Sequence, residues 1–176
     1  MYIRREQRGD EQAVHAVHTA AFRVADQSGE TVEAGLADEL RRSGAALPEL
    51  SVVAVIDGEV VGHVVCSRGW VEATTGDRRP ALGLGPLGVL PDHQDHGIGK
   101  ALMHAVLGAA DALDEPLVAL LGEPAYYGRF GFEPSHRHGV EPPDPAWGDY
   151  FQVRTLTAYD PSLRGTFHYA LPFDGL

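Results

Sequence analysis

The stretch PLGVLPDHQDHGIGKALMHAVL, residues 86–107, runs from an apolar segment through a polar turn into a helical pattern. Leu102, Val106 and Ala109 recur at helical spacing, which predicts an amphipathic helix over 98–113. The run 81–90 ahead of it predicts a strand. The turn between them, QDHGIG at 94–99, decides how this part of the chain is read. The first N–H groups of a helix have no partner within it, and the helix dipole favours negative charge there. Glycine at 97 and 99 removes the Cβ atoms that would hold a phosphate away from the main chain. The turn therefore reads as an anion cradle; the bland alternative is a glycine-eased helix entry that binds nothing. His96 and Lys100 add charge nearby in a secondary role.

Two nucleotide motifs are set aside. Lys100 is followed by Ala101, so the phosphate loop ending in Lys-Ser/Thr is absent. GLGPLG at 83–88 satisfies G-x-G-x-x-G as a string, but VLPD follows it instead of a helix and a proline lies inside it. It reads as a strand with a glycine-permitted irregularity, a bulge.

Outward from the turn, MYIRREQ predicts a first strand. Asp10 opens a helix on which Val14, Val17, His18, Ala21 and Phe22 share a face. A second helix is expected over 31–42, with Leu36 and Leu40 inward. LSVVAVIDGEVVGHVVCSRG at 50–69 is a hairpin turning at Asp57-Gly58. PLVALL (116–121) is a buried strand and PAYYGRF (124–130) a short helix. SHRHGVEPPDPAWGDY is expected as a loop, and FQVRTL and TFHYAL as closing strands. The order β-α-α-β-β-β-α-β-α-β-β predicts an α/β (α+β) fold: a mixed, mostly antiparallel sheet flanked by helices, one domain over 1–176.

The 176 residues suit one domain with a real core. A net charge of -11 argues against nucleic-acid partners. Cys66 is the single cysteine, so neither an internal disulfide nor a paired-cysteine metal site is possible. The charged start does not read as a signal peptide, and no long apolar run predicts a membrane span, so a cytoplasmic location is expected. Nine histidines without a consistent carboxylate or cysteine frame, DHQDH and HRH included, favour no metal.

Gln94, Gly97 and Gly99 match all three specified positions of [Q/R]-x-x-G-x-[G/A], the acetyl-CoA motif of the GCN5-related N-acetyltransferase (GNAT) superfamily, which this sequence resembles. LGVLP looks like that family's central strand. AYYGRFGFEP at 125–134 looks like its second motif, with Tyr127 five residues before Phe132. The resemblance covers residues 2–134, and the tail, with FQVRTL and GTFHYALPF, looks more specifically like the YhbS-like branch. It implies that the backbone amides of Gln94, Asp95, His96, Gly97, Ile98, Gly99 and Lys100 cradle the pyrophosphate of acetyl-CoA. It also implies that Leu87, Gly88 and Val89 run beside the pantetheine arm as an added strand, with the acetyl carbonyl near Val89.

The implied chemistry is direct attack of an amine on the thioester. Tyr127 either donates a proton to the departing thiolate or only packs against the cofactor. The base is not apparent, since 81–90 holds no carboxylate; Glu123, Glu33 and Glu72 are the candidates. Cys66 reads as a small core residue. Trp70, Trp147 and Tyr150 either line an acceptor pocket or staple the PPDPAW loop. An N-acetyltransferase acting on a small-molecule or protein amine is the leading expectation. A non-catalytic acyl-CoA-binding module and a purely structural domain are the alternatives, and the two closing strands would permit a homodimer.

Overall fold

The computed structural model describes residues 1–24 and 31–174. In chain order the elements are β1 (Tyr2–Arg5), α1 (Glu11–Phe22), α2 (Val32–Arg42), β2 (Ala46–Ile56), β3 (Glu59–Glu72), β4 (Arg78–Val89), α3 (Ile98–Ala112), β5 (Leu117–Leu121), α4 (Pro124–Tyr127), β6 (Glu133–Pro134), β7 (Val140–Glu141), β8 (Phe151–Thr155) and β9 (Gly165–His168). The strands form one mixed sheet in the order β1-β2-β3-β4-β5-β8-β6, with β9 beside the far end of β3 and β7 beside β9. The β4–β5 and β7–β9 pairs are parallel and the others antiparallel. Among the described residues no helix is long and apolar enough to cross a membrane.

The β2–β3 hairpin turns where the sequence places it. Asp57 and Gly58 both have positive φ (50° and 87°), as a two-residue turn between twisted strands requires. Asp10 does precede α1, but its carboxylate does not cap the helix; it accepts from the Gln7 amide at 2.8 Å and pairs with Arg4 at 2.5 Å. Strand β4 begins at Arg78, three residues earlier than its apolar run, because Arg78 lies opposite Glu72 and pairs with it at 2.5 Å. The stretch expected as one loop holds β6 and β7, each of two residues, too short to carry a hydrophobic period.

Two apolar layers flank the sheet. On one side α3 lays Leu102, Met103 and Val106 against Val64, Leu82, Val118 and Leu120. On the other, Val14 of α1 meets Val53 and Val55, while Leu36 and Leu40 of α2 meet Val65. Gly62 lets α3 close on the sheet: a Cβ there would stand 3.0 Å from Leu102 Cδ1. Leu102 is fully buried. Leu102→Ala is expected to lower the urea-unfolding free energy by about 2–5 kcal/mol with little change in m-value.

Candidate active site

Leu84 and Leu87 of β4 lie opposite Cys66 and Val64 of β3, so Gly85 and Pro86 are one residue too many and form a bulge. Gly85 has φ 139°, and the Gly85–Pro86 bond is cis. The pairing of β4 with β5 is confined to Leu82–Val118 and Gly83–Ala119, ahead of the bulge. Beyond it the two strands part.

The direction of the freed backbone groups follows from alternation. The Leu90 amide donates to Val61 O, toward β3, at 2.9 Å. Gly88 shares that direction, so the N–H and C=O groups of Leu87 and Val89 point into the gap. The Val89 carbonyl is taken by the Gln94 side chain, Nε2 to O 3.0 Å. Gln94 thus fastens the glycine turn to the end of the strand, leaving the Val89 amide and both polar groups of Leu87 facing the gap.

The turn ends in Gly97, which caps α3 in the left-handed region (φ 78°, ψ 7°) with no side-chain cap bond. Asp95 also has positive φ (61°). Ala101 N–H is bonded to Gly97 O, which leaves the amides of Ile98, Gly99 and Lys100 at the mouth of the helix. Two expectations change here. The Gln94 amide donates to Pro91 O at 3.2 Å, so it is not a free anion donor. His96 turns back to bond Gln94 O through Nδ1 at 2.6 Å and does not line the cleft; His93 does. Ile98 buries its side chain in the core and presents only its amide.

The opposite wall is α4. Glu123 precedes it and accepts from the Ala125 amide at 3.4 Å while lining the cleft. Tyr127 lies flat over Gly122, where a Cβ would stand 2.3 Å from its ring, and its edge meets Phe132. Burial, and then the neighbouring Tyr126, push the Tyr127 hydroxyl up to about 12, so it is a protonated phenol at neutral pH. Tyr126 rests its ring on the core near Phe130, but its hydroxyl reaches the turn, 3.0 Å from a Cβ built on Gly99. The Arg129 guanidinium lies 4.8 Å over the Tyr126 ring. With Ala21 and Phe22 from α1, these walls enclose a cleft of about 620 Å³ running from the glycine turn along β4.

The chain matches the family model for an acetyltransferase (GNAT) domain over residues 2–135. It belongs to the GNAT acetyltransferase family. The uncharacterized N-acetyltransferase YjhQ of Escherichia coli K12 is 29% identical over 169 residues, covering 94% of this chain and 90% of YjhQ. YhbS of the same organism is 33% identical over 134 residues, 76% of each chain. The crystal structure of Escherichia coli YhbS in complex with CoA superposes with a TM-score of 0.85 at 29% identity, over 98% of this chain and 91% of that one. A GNAT family acetyltransferase from Brucella melitensis in complex with acetyl-CoA superposes with a TM-score of 0.76 at 32% identity, over 98% and 97%.

In this acetyltransferase the fold brings Leu87, Gly88, Val89, Gln94, Asp95, Gly97, Ile98, Gly99, Lys100, Glu123 and Tyr127 to one cleft. It does not bring Glu72, which pairs with Arg78. Trp147 packs on Phe151 and Tyr169, and Trp70 stacks on His168, so neither lines this cleft. Cys66 is buried, and burial raises its thiol well above the usual range. Ala21, Phe22 and His93 carry no motif of their own, and Tyr126 and Arg129 lie in AYYGRFGFEP without a site role readable from it; all five join the cleft only through packing. Gly122→Ala is expected to push the Tyr127 ring off β5 and cost roughly 1–3 kcal/mol, read as a lowered thermal midpoint.

Proposed function

We propose that this chain transfers an acetyl group from acetyl-CoA to a primary amine, of a small molecule or a protein, by direct attack. The observation that carries the reading is continuous: a central-strand edge with open backbone groups at Leu87 and Val89 runs straight into a helix mouth with open amides at residues 98–100. Such an edge suits an extended amide-bearing chain such as pantetheine, which pairs as a strand does. Such a mouth suits a diphosphate. The relatives crystallised with CoA and acetyl-CoA support the same reading.

In this scheme the amides of Ile98, Gly99 and Lys100, with the Gly97 turn, hold the diphosphate by main-chain donors. Lys100 adds charge from the exposed first turn. The Tyr126 hydroxyl and Arg129 guanidinium stand at the same end and offer two further donors. The Val89 amide is placed to polarise the acetyl carbonyl. Tyr127 donates a proton to the sulfur as the C–S bond breaks; its raised pKa keeps that proton in place through the physiological range. Glu123 lines the same wall and is the carboxylate best placed to draw in a cationic amine. The chain's net charge of -11 favours such acceptors generally. A cytoplasmic setting, where acetyl-CoA is made and used, accords with the single unpaired cysteine.

Calorimetric titration with acetyl-CoA tests the site directly. The parent protein is expected to bind, and Gly97→Glu, which places a carboxylate in the cradle, to lose binding while remaining folded. Absence of binding by a ligand-free parent would overturn the proposal. Tyr127→Phe is expected to leave the acetyl-CoA Kd unchanged and to lower kcat about 10²-fold or more. With Tyr127 intact, kcat is expected to lose its acid-dependent component only as pH rises toward 12, because the raised pKa retains the donor form below that point.

A further inference from the structure

The cleft carries more positive charge at its turn end than a diphosphate held by main-chain amides requires. The turn and the residues just before it bring the exposed carboxylates of Asp95 and Asp92, so their side chains do not favour a polyanion. The cations come from the two helical segments beyond. Lys100, the single lysine of the chain, stands in the first turn of α3, and His104 follows one turn later on the same face. Arg129 follows α4 and lines the cleft together with Lys100. Phe130, next to Arg129, meets the His104 ring edge to face at 5.4 Å, so the end of α4 lies along this stripe of α3. All three basic side chains are exposed. Arg68 and Arg78 are held by Glu115 and Glu72, whereas Lys100, His104 and Arg129 have no carboxylate partner among the described residues.

Arg129 is also held in place. Its guanidinium lies 4.8 Å over the Tyr126 ring, and the Tyr126 hydroxyl reaches to 3.0 Å from a Cβ built on Gly99. Burial raises the Tyr126 hydroxyl, against the lowering effect of the Arg129 charge, so Tyr126 stays a protonated donor. The guanidinium therefore stands one aromatic ring away from the mouth of α3. Its N–H groups make no hydrogen bond among the described residues. A guanidinium fixed on one side by a ring, with its donors unspent, suits the paired oxygens of a phosphate.

We propose that Arg129, with Lys100 and His104 facing it, binds the 3′-phosphate on the ribose of CoA and so makes the site selective for CoA over dephospho-CoA. This rests on the acetyltransferase reading and concerns a part of the donor that the reading leaves open. The pantetheine arm leaves the helix mouth along Leu87 and Val89, so the nucleoside leaves it on the other side, between α3 and the end of α4. The 3′-phosphate is only a ribose away from the diphosphate. Its partner must therefore stand close to the mouth, as Arg129 does. The amides of Ile98, Gly99 and Lys100 are spent on the diphosphate, and a second anionic group needs cations of its own. The Lys100 side chain, on the first turn of α3, is placed to serve both phosphate positions, while Arg129 serves the phosphomonoester.

Calorimetric titration of the intact protein with CoA and with dephospho-CoA, at one fixed salt concentration, tests this. The parent is expected to bind CoA about tenfold more tightly than dephospho-CoA. Arg129→Gln is expected to bring that ratio down to about threefold or less. A parent that binds the two ligands within about twofold of each other overturns the proposal, and so does a folded Arg129→Gln protein that keeps the parent's ratio. Phosphorus-31 NMR of CoA bound to the parent needs no variant. The phosphomonoester, which titrates near about pH 6 when free, is expected to titrate at lower pH beside these cations. An unmoved midpoint overturns the proposal as well. Binding of neither ligand overturns the acetyltransferase reading itself, so the two failures are distinct.

Discussion

The parting of β4 from β5 is the constraint on which the rest of the structure depends. Central strands of a sheet spend their N–H and C=O groups on their neighbours, because buried backbone polar groups left without partners are costly. Here the ladder stops after Gly83–Ala119, and the bulge at Gly85-Pro86 turns the remainder of β4 away. Proline has no amide hydrogen to place in a ladder, so it is tolerated at the point where the pairing ends. The consequence is a strand edge in the middle of the protein, open along residues 87–89, with α3 closing one end of the gap and α4 its far wall.

The polar groups open to that gap belong to the main chain, and side chains serve chiefly to hold those groups in place. Gln94 fastens the turn to Val89, Gly97 takes the left-handed conformation that directs the amides outward, and Leu102, Met103 and Val106 anchor α3 to the sheet beneath. Tyr127 can lie against β5 because Gly122 has no side chain. A site assembled this way tolerates wide variation in side chains. It depends on a few glycines and on the apolar packing that fixes the helix mouth relative to the strand.

The side of the sheet facing α1 and α2 is built differently. Between the valine contacts of α1 and the leucine contacts of α2 it holds Glu6, Ser51, His63, His18 and Arg41 in one connected set. Buried polar groups are stabilising only when each has its partner, and among the described residues each does here but the nitrogen at the inner end, His18 Nδ1. That exception lies against the one strand on which the cleft is built. The sheet thus has a dry face under α3 and a hydrogen-bonded face under α1.

Most of the fold is legible in the chain because its signals are local. The alternation of 50–69, the Asp57-Gly58 turn, the 3.6-residue spacing of Leu102 and Val106, and the glycines of QDHGIG each state a backbone preference within a few residues. These determine the hairpin, the long helix, the glycine turn between strand and helix, and the family to which the chain belongs. The short strands β6 and β7 are not legible, since two residues carry no period and exist only through their partners. Nor is the proximity of His18, His63, Ser51 and Glu6, which lie on different elements; on α1, His18 reads simply as one more inward position. Tyr126 reaches the glycine turn, and Arg129 the cleft, only because α4 is carried there by β5. The sequence by itself determined the longer elements and the glycine turn between strand and helix, because backbone conformation answers to neighbouring residues. Tertiary structure alone decided which side chains meet across the splayed strands, because that depends on register and packing between segments far apart in the chain.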